Sequence, residues 1–214
     1  MKLCKLYLQF LFLFWTSFSF AQNSNSIHLP PPQTETGKPL MQVLKLRQSS
    51  RSFENTALPI QELSNLLWAA YGINRLETGK RTAPSAMNWQ EIDIYVALRE
   101  GTFIYEAQSN SLISISSKDL REATGKQPFV AEAPVSLVYV ADERRMSSAG
   151  GEDKLRWSSA DAGFIAQNVY LYCASQGLAV VVRGMVDREN LSKELKLHPE
   201  QKIVLCQTVG YSKQ

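Results

Sequence analysis

The stretch EIDIYVALREGTFIYEAQSNSLISIS, Glu91 to Ser116, decides the fold class. Side chains of an extended chain point alternately to its two sides, so Ile92, Ile94 and Val96 share one strand face. Gln108 to Ser111 has the small polar residues of a turn between two further short strands. Downstream, APVSLVYVAD is a continuous apolar run, the pattern of a strand in a sheet's buried middle. LAVVVRG and QKIVLCQTVGY supply the last strands, separated by the helix DRENLSKELKL.

Helices flank these strands in the sequence. Leu40, Val43, Leu44 and Arg47 share a helical face that fades near Gln48. LPIQELSNLLWAAYG places Pro59 at a first turn, Ile60, Leu63, Leu66, Leu67 and Ala70 on one stripe, and Gly72 at the stop. SKDLREATG predicts a short helix ending near Gly125. The strongest helix runs from about Trp157 to Gln176, with Phe164, Gln167, Asn168, Leu171 and Ala174 as its stripe and Gly177 closing it. Hairpins mixed with helices predict an α+β sandwich rather than a regularly alternating α/β fold.

The chain opens MKLCKLYLQFLFLFWTSFSFAQNS, with Lys2 and Lys5 ahead of a short Phe-rich apolar run and Ser19 and Ala21 in a small-residue cleavage pattern. Residues 1–21 therefore read as a secretory signal peptide and the protein as exported, to a bacterial periplasm or the medium. Gln9, Thr16 and Ser17 interrupt the run, so no stable membrane insertion is expected after cleavage. The signal holds two of the 23 basic residues, which leaves the remainder nearly balanced against 20 acids. Such a surface gives no electrostatic reason to expect nucleic acid. Residues 22–38 carry three consecutive prolines and few apolar side chains, an extended tether or arm. Residues 39–214 form a single domain. Its two cysteines, Cys173 and Cys206, fall in apolar patterns and read as buried thiols, although export leaves a disulfide between them open.

Most catalytic constellations are missing. Beyond the signal only His28 and His198 remain, neither with metal-ligand spacing, and there is no H-E-x-x-H, C-x-x-C, P-loop or G-x-G-x-x-G. A chain with so little acid–base equipment relies on a cofactor for difficult chemistry or performs none. One basic cluster stands out. In LRQSSRSF, Leu46 to Phe53, Arg47 and Arg51 lie four apart and converge if the helical path persists, with Ser49 or Ser50 adding a hydroxyl. Two guanidiniums and a hydroxyl suit a phosphate, whereas the plainer reading is a pair of solvated charges complementing the helix dipole.

The spacing R-x-S-x-R-x-F is followed some thirty residues later by APSAMNWQ, Ala83 to Gln90, and the two together resemble the flavin-dependent nitroreductase family. Pro84, Ser85, Ala86, Asn88 and Gln90 match the second motif of that family, and the resemblance extends over about residues 40–212. The segment from Glu100 to Asp142 is most similar to the branch of thiazoline-oxidising dehydrogenases. The resemblance implies a three-layer sandwich, a mixed and mainly antiparallel sheet flanked by helices. It also implies FMN, NAD(P)H as one donor, a homodimer, and a small-molecule substrate passing a hydride or electron pair through the flavin. Arg47, Ser49 and Arg51 would meet the FMN phosphate and ribityl chain, with Gln48 contributing its backbone or amide. Asn88 would hydrogen-bond the polar edge of the ring from a loop built on Pro84 and Ser85, presented by the dimer partner. Arg183 and Gly184 match the place where backbone amides approach flavin N5, so no side chain need be catalytic. Lys213 stands where the resemblance implies a basic residue after the closing Gly-Tyr. A flavin-binding member without turnover is the rival implication.

Overall fold

The computed structural model describes residues 26–213, so the signal-peptide reading of residues 1–21 lies outside the described residues. In chain order the elements are β1 (Ser26–His28), α1 (Leu40–Leu46), α2 (Ile60–Tyr71), β2 (Ile73–Arg75), β3 (Lys80–Arg81), β4 (Ile92–Leu98), β5 (Gly101–Glu106) and β6 (Ser111–Ser116). They continue with α3 (Phe129–Glu132), β7 (Val135–Asp142), α4 (Gly151–Gln176), β8 (Ala179–Arg183), α5 (Arg188–Glu194) and β9 (Gln201–Gly210). Seven strands form one sheet in the order β1-β6-β5-β4-β7-β9-β8, and β2 and β3 make a separate hairpin.

Strand alternation generates the layers. Ile92, Ile94 and Val96 of β4, with Val135, Leu137 and Tyr139 of β7, face a core built with α2 and α4. Tyr95 and Ala97, with Val138 and Val140, face the opposite core, closed by Leu191 of α5 and by Leu120. β7 is buried along its whole length, as a central strand covered on both faces must be. The protein is therefore an α+β three-layer sandwich. Every pairing among the described residues is antiparallel, so the parallel component allowed for by a mixed sheet is not found there.

Several local expectations are corrected. α4 begins at Gly151, and it buries Ala162, Ile165, Ala166, Val169, Tyr170 and Cys173. The stripe expected inside lies on another face: Phe164 and Gln167 are exposed, and Asn168, Leu171 and Ala174 only half-buried. Both stripes have helical spacing, and only the position of the sheet chooses between them. SKDLREATG forms a single 3₁₀ turn at Glu122–Thr124, while a four-residue helix, α3, follows where none was expected. The Pro-rich segment runs along the domain: β1 pairs with β6, Leu29 is buried, and the Gln33 and Lys38 backbone amides donate to Asn65 and Ser175. Prolines suit such an edge strap because one side of it needs no ladder donors. Cys173 and Cys206 are buried free thiols.

Candidate functional site

The segment that carries the two arginines is not helical. α1 ends at Leu46, and Arg47 turns out of it with φ −57° and ψ 118°. From there the chain lies along β8, the sheet's edge strand, where the Ser50 amide donates to the Val180 carbonyl at 2.9 Å. Arg47 and Arg51 therefore do not converge through a helical turn. Positions two apart share a side in an extended segment; Arg47 and Ser49 meet at Tyr170, and Arg51 follows, exposed, two residues further on.

Tyr170 of α4 organises that segment. Its hydroxyl accepts the outward amide of Val182 in β8 at 2.9 Å and shares a second hydrogen bond of 2.9 Å with the Ser49 hydroxyl. The Arg47 guanidinium lies over the Tyr170 ring, 5.4 Å from its centre. Such stacking holds the planar cation while leaving its N–H groups for a ligand. Among the described residues neither Arg47 nor Arg51 has a carboxylate within ion-pair distance. Gln48 is exposed beside them.

β8 leads from this row directly to Arg183 and Gly184. Arg183 turns inward: it is buried and donates to the Thr124 carbonyl, the hydroxyls of Thr124 and Thr208, and more distantly Ser136. Burial lowers its pKa, and its side chain acts as a structural pin, while Asp187 nearby caps α5. Gly184 is exposed, and a Cβ there would meet nothing within 4 Å, so the backbone at the strand's end is open to close approach. Near the chain's end Lys213 is exposed, its ammonium 3.8 Å from Glu132. Its backbone amide reaches the Ser52 carbonyl, and Ser212 bridges Phe53, which closes the same edge.

The second motif lies elsewhere. Pro84 and Ser85 enter a tight turn in which Met87, Asn88 and Gln90 all have positive φ, at 50°, 57° and 48°. Three non-glycine residues in the left-handed region within four positions is a costly arrangement, and such strain persists only where surrounding contacts enforce it. Those contacts are present. The Ser85 hydroxyl accepts the Gln90 amide at 2.8 Å, and the Ala86 amide donates to Asp161 of α4 at 2.9 Å. Arg81 donates to the Gln90 side chain at 2.8 Å and stacks over Tyr71, 4.5 Å from its centre. The Asn88 side chain is exposed, accepting only from Gln90 at 3.2 Å. A cavity of about 210 Å³ opens between this loop and the β2–β3 hairpin, with Arg75, Lys80 and Arg81 in its lining.

The structure thus brings Arg47, Gln48, Ser49, Arg183 and Gly184 to one sheet edge, and puts Pro84, Ser85 and Asn88 in a second place. Asp161 and Tyr170 anchor the two places on the same helix, and nine residues of α-helix span about 14 Å. Tyr170 and Arg81 were not singled out from the sequence as site residues. Tyr170 could have been, since Ala162, Ile165, Ala166, Val169 and Cys173 form a rival stripe in which it takes part.

Comparison with known proteins agrees with this fold. The profile of the nitroreductase family matches residues 44–211. A nitroreductase-family protein of Methanocaldococcus jannaschii is 34% identical over 168 residues, covering 74% of this chain and 84% of that one. A nitroreductase-family crystal structure from Ralstonia eutropha JMP134 is 43% identical with a TM-score of 0.85, covering 89% of this chain and 90% of that chain. A chain of the E. coli microcin synthetase McbBCD complex shares the fold at 15% identity, TM-score 0.69, covering 90% of this chain and 80% of that one. A three-layer antiparallel sandwich with this pair of motifs defines an oxidoreductase class whose members generally use a flavin. The chain belongs to the nitroreductase family.

The residues present fit FMN. Two guanidiniums, half-buried Arg47 and exposed Arg51, that make no ion pair among the described residues suit its phosphate together with the Ser49 hydroxyl, and an open glycine at a strand end suits a planar ring. No group of three or more metal-binding side chains occurs among the described residues, and no described helix is long and apolar enough to cross a membrane.

Proposed function

We propose that the protein is an exported, homodimeric, FMN-dependent oxidoreductase that moves a hydride or electron pair between a reduced donor, such as NAD(P)H, and a small organic acceptor. The observation that carries this reading is the pair of Arg47 and Ser49 held on Tyr170, with Arg51 exposed two residues on and the open backbone of Gly184 at the end of the same edge strand. FMN, when bound, supplies two-electron chemistry that none of these side chains has. Arg47 and Arg51 bind the phosphate, Gln48 and Ser49 its neighbouring polar groups, and the Arg183–Gly184 backbone meets the ring. Arg183 itself fixes the strand end by its buried hydrogen bonds. Lys213 adds a peripheral charge.

Two features support the homodimer. The Asn88 loop and the arginine segment are tied to α4 nine residues apart, at Asp161 and Tyr170, about 14 Å of helix, and the family resemblance has the loop presented by the partner. Apolar side chains that the fold leaves outside also favour a partner: Trp157 and Phe164 on α4, seven residues apart, and Leu40, Met41 and Leu44 on the adjoining α1. An exposed apolar face of this kind marks an interaction surface. Export rests on the sequence of residues 1–21 and implies that FMN is acquired outside the cytoplasm. The likeness to thiazoline-oxidising dehydrogenases is one of fold and leaves the substrate open to assay.

The test is anaerobic NAD(P)H oxidation by the purified protein with FMN and a small nitroaromatic acceptor. Turnover that disappears in the R47A/R51A double variant supports the reading. FMN binding without turnover, with any donor tried, would favour a flavin carrier instead.

A further inference from the structure

Behind the Asn88 loop lies a buried group of oxygens that flavin binding by itself does not explain. Glu91, just before β4, is fully buried and has one carboxylate oxygen, Oε1, with no hydrogen-bond partner. Its other oxygen, Oε2, accepts from the Ser85 hydroxyl at 3.2 Å. Asp161, 1% exposed, reaches in from α4 within hydrogen-bonding range of Glu91, and its Oδ2 accepts the Ala86 amide at 2.9 Å. Tyr71 of α2 brings a third buried oxygen, again unpartnered. Two cations lie near: Arg81 of β3, occupied by Gln90, the Tyr71 carbonyl and the Tyr71 ring, and Arg145, which donates to the Gln90 carbonyl at 2.8 Å and is paired with Asp93. On the β7 side the Glu91 carbonyl accepts the Asp142 amide, and the Asp142 carboxylate is already paired with Arg144 and Arg145.

Two buried carboxylates in contact without a cation between them cannot both ionise cheaply, and a single proton turns their repulsion into a hydrogen bond. We propose that Glu91 and Asp161 hold one proton between them, and that this proton positions the Ala83–Gln90 loop in its strained conformation. The protonated Glu91 donates to the Asp161 carboxylate, which keeps Oδ2 for the Ala86 amide, while Glu91 Oε2 keeps Ser85 under Gln90. Burial, reinforced by Asp161, pushes the Glu91 carboxyl up to about 7, in line with a proton retained through the mildly acidic range. The sign follows directly. A carboxyl raised above its unfolded value favours the ordered loop most fully below that unfolded value, and the advantage is lost as pH rises through about 7. Glu91 and Asp161 act here through the loop and are positioning residues.

The inference concerns the loop that the FMN reading assigns to the ring, and its test separates the two. The purified wild type, Glu91→Gln and Asp161→Asn are compared between pH 5.5 and 8.5. Asn at 161 keeps an acceptor for Ala86, so it covers the case in which the glutamine variant fails to fold. The first readouts need no flavin: the infrared band of a neutral buried carboxylic acid, and hydrogen-exchange protection of the Ala86 and Gln90 amides. The expected wild type shows the band at low pH, loses it near neutrality, and loses about tenfold in protection of both amides alongside it. Glu91→Gln lacks the band and has level protection across the range, whereas Asp161→Asn keeps the band of the still-buried Glu91 but loses it, and the protection with it, at lower pH than the wild type. FMN affinity then weakens with pH in the wild type, stays level in Glu91→Gln and has its fall moved to lower pH in Asp161→Asn. An absent acid band, a pH slope in Glu91→Gln equal to that of the wild type, or an Asp161→Asn band that titrates where the wild type does, would overturn the shared proton. A titrating band with unchanged amide protection would overturn its hold on the loop. If the band and protection behave as expected while FMN never binds, the proton pair stands and the FMN reading falls.

Discussion

Replacing Tyr170 with Phe removes a single oxygen from the centre of the proposed phosphate row and leaves the ring under Arg47 in place. Two hydrogen bonds disappear, one from the Val182 amide and one with Ser49, each 2.9 Å long in the native protein. A buried donor left without an acceptor costs about 1–3 kcal/mol. Val182 is only half-buried and water can replace part of the loss, so the low end, about 1 kcal/mol, applies to folding. For a chain of this size that is a fall in Tm of roughly 2–4 °C. Ser49 also loses the contact that aims its hydroxyl, and forfeiting one ordinary hydrogen bond's worth of pre-organisation, about 1 kcal/mol, weakens FMN about fivefold. The assay is a flavin fluorescence titration, with thermal unfolding alongside, on wild type, Y170F, S49A and the double variant. Because Tyr170 acts on the ligand through Ser49, Y170F added to S49A costs little further affinity although it still lowers Tm. Strict additivity of the two affinity losses, or an unchanged affinity in Y170F, would refute the organising role given to Tyr170.

Other perturbations have equally definite outcomes. R47A/R51A should weaken FMN by tenfold or more while barely changing riboflavin affinity, because only FMN carries the phosphate; equal losses for both ligands would remove the phosphate assignment. Arg183→Ala strips a buried guanidinium from Thr124 and Thr208 and should cost about 2–4 kcal/mol in a denaturant titration, whereas Lys213→Ala, in an exposed pair at 3.8 Å, should change stability by less than about 1 kcal/mol. Gly125→Ala should cost stability as well, since its new Cβ would run into the Arg183 guanidinium; a neutral result would mean that the pin is easily moved. Arg144 holds the Asp142 carboxyl below its usual range, so its contribution is present above the ordinary Asp value and is lost as pH falls through the lowered one; Arg144→Met should flatten acid unfolding in that window. Mixing R47A/R51A with N88A protomers should restore one competent site per hybrid dimer if the two motifs meet across copies.

Much of the sheet was legible because strands with one or two buried faces announce themselves locally. The alternation in Ile92–Val96 and the unbroken apolar run in β7 say which strand has which neighbours. The faces of α4 were harder. Phe164 and Leu171 are as apolar as Ile165 and Val169, so periodicity offers two stripes, and a helix whose second apolar stripe is left outside the core defeats any rule that apolar means inward. The arginine row shows a different limit. Residues four apart read naturally as a helical pair, yet the chain leaves α1 at Leu46 and runs beside β8, where Arg47 and Ser49 meet at Tyr170. Arg183 matched the family position in the sequence, but nothing local says that its side chain turns into the core, because its partners Thr124 and Thr208 are far away in the chain. The Glu91–Asp161 contact is invisible for the same reason, since 70 residues separate its members.

The most direct measurement of the central claim is the visible absorbance of the purified protein after incubation with FMN and removal of the free flavin. The account predicts a retained flavin spectrum that saturates near one FMN per chain and is lost in R47A/R51A. A folded wild-type protein that emerges colourless would contradict it and return Arg47 and Arg51 to solvated charges at the end of α1.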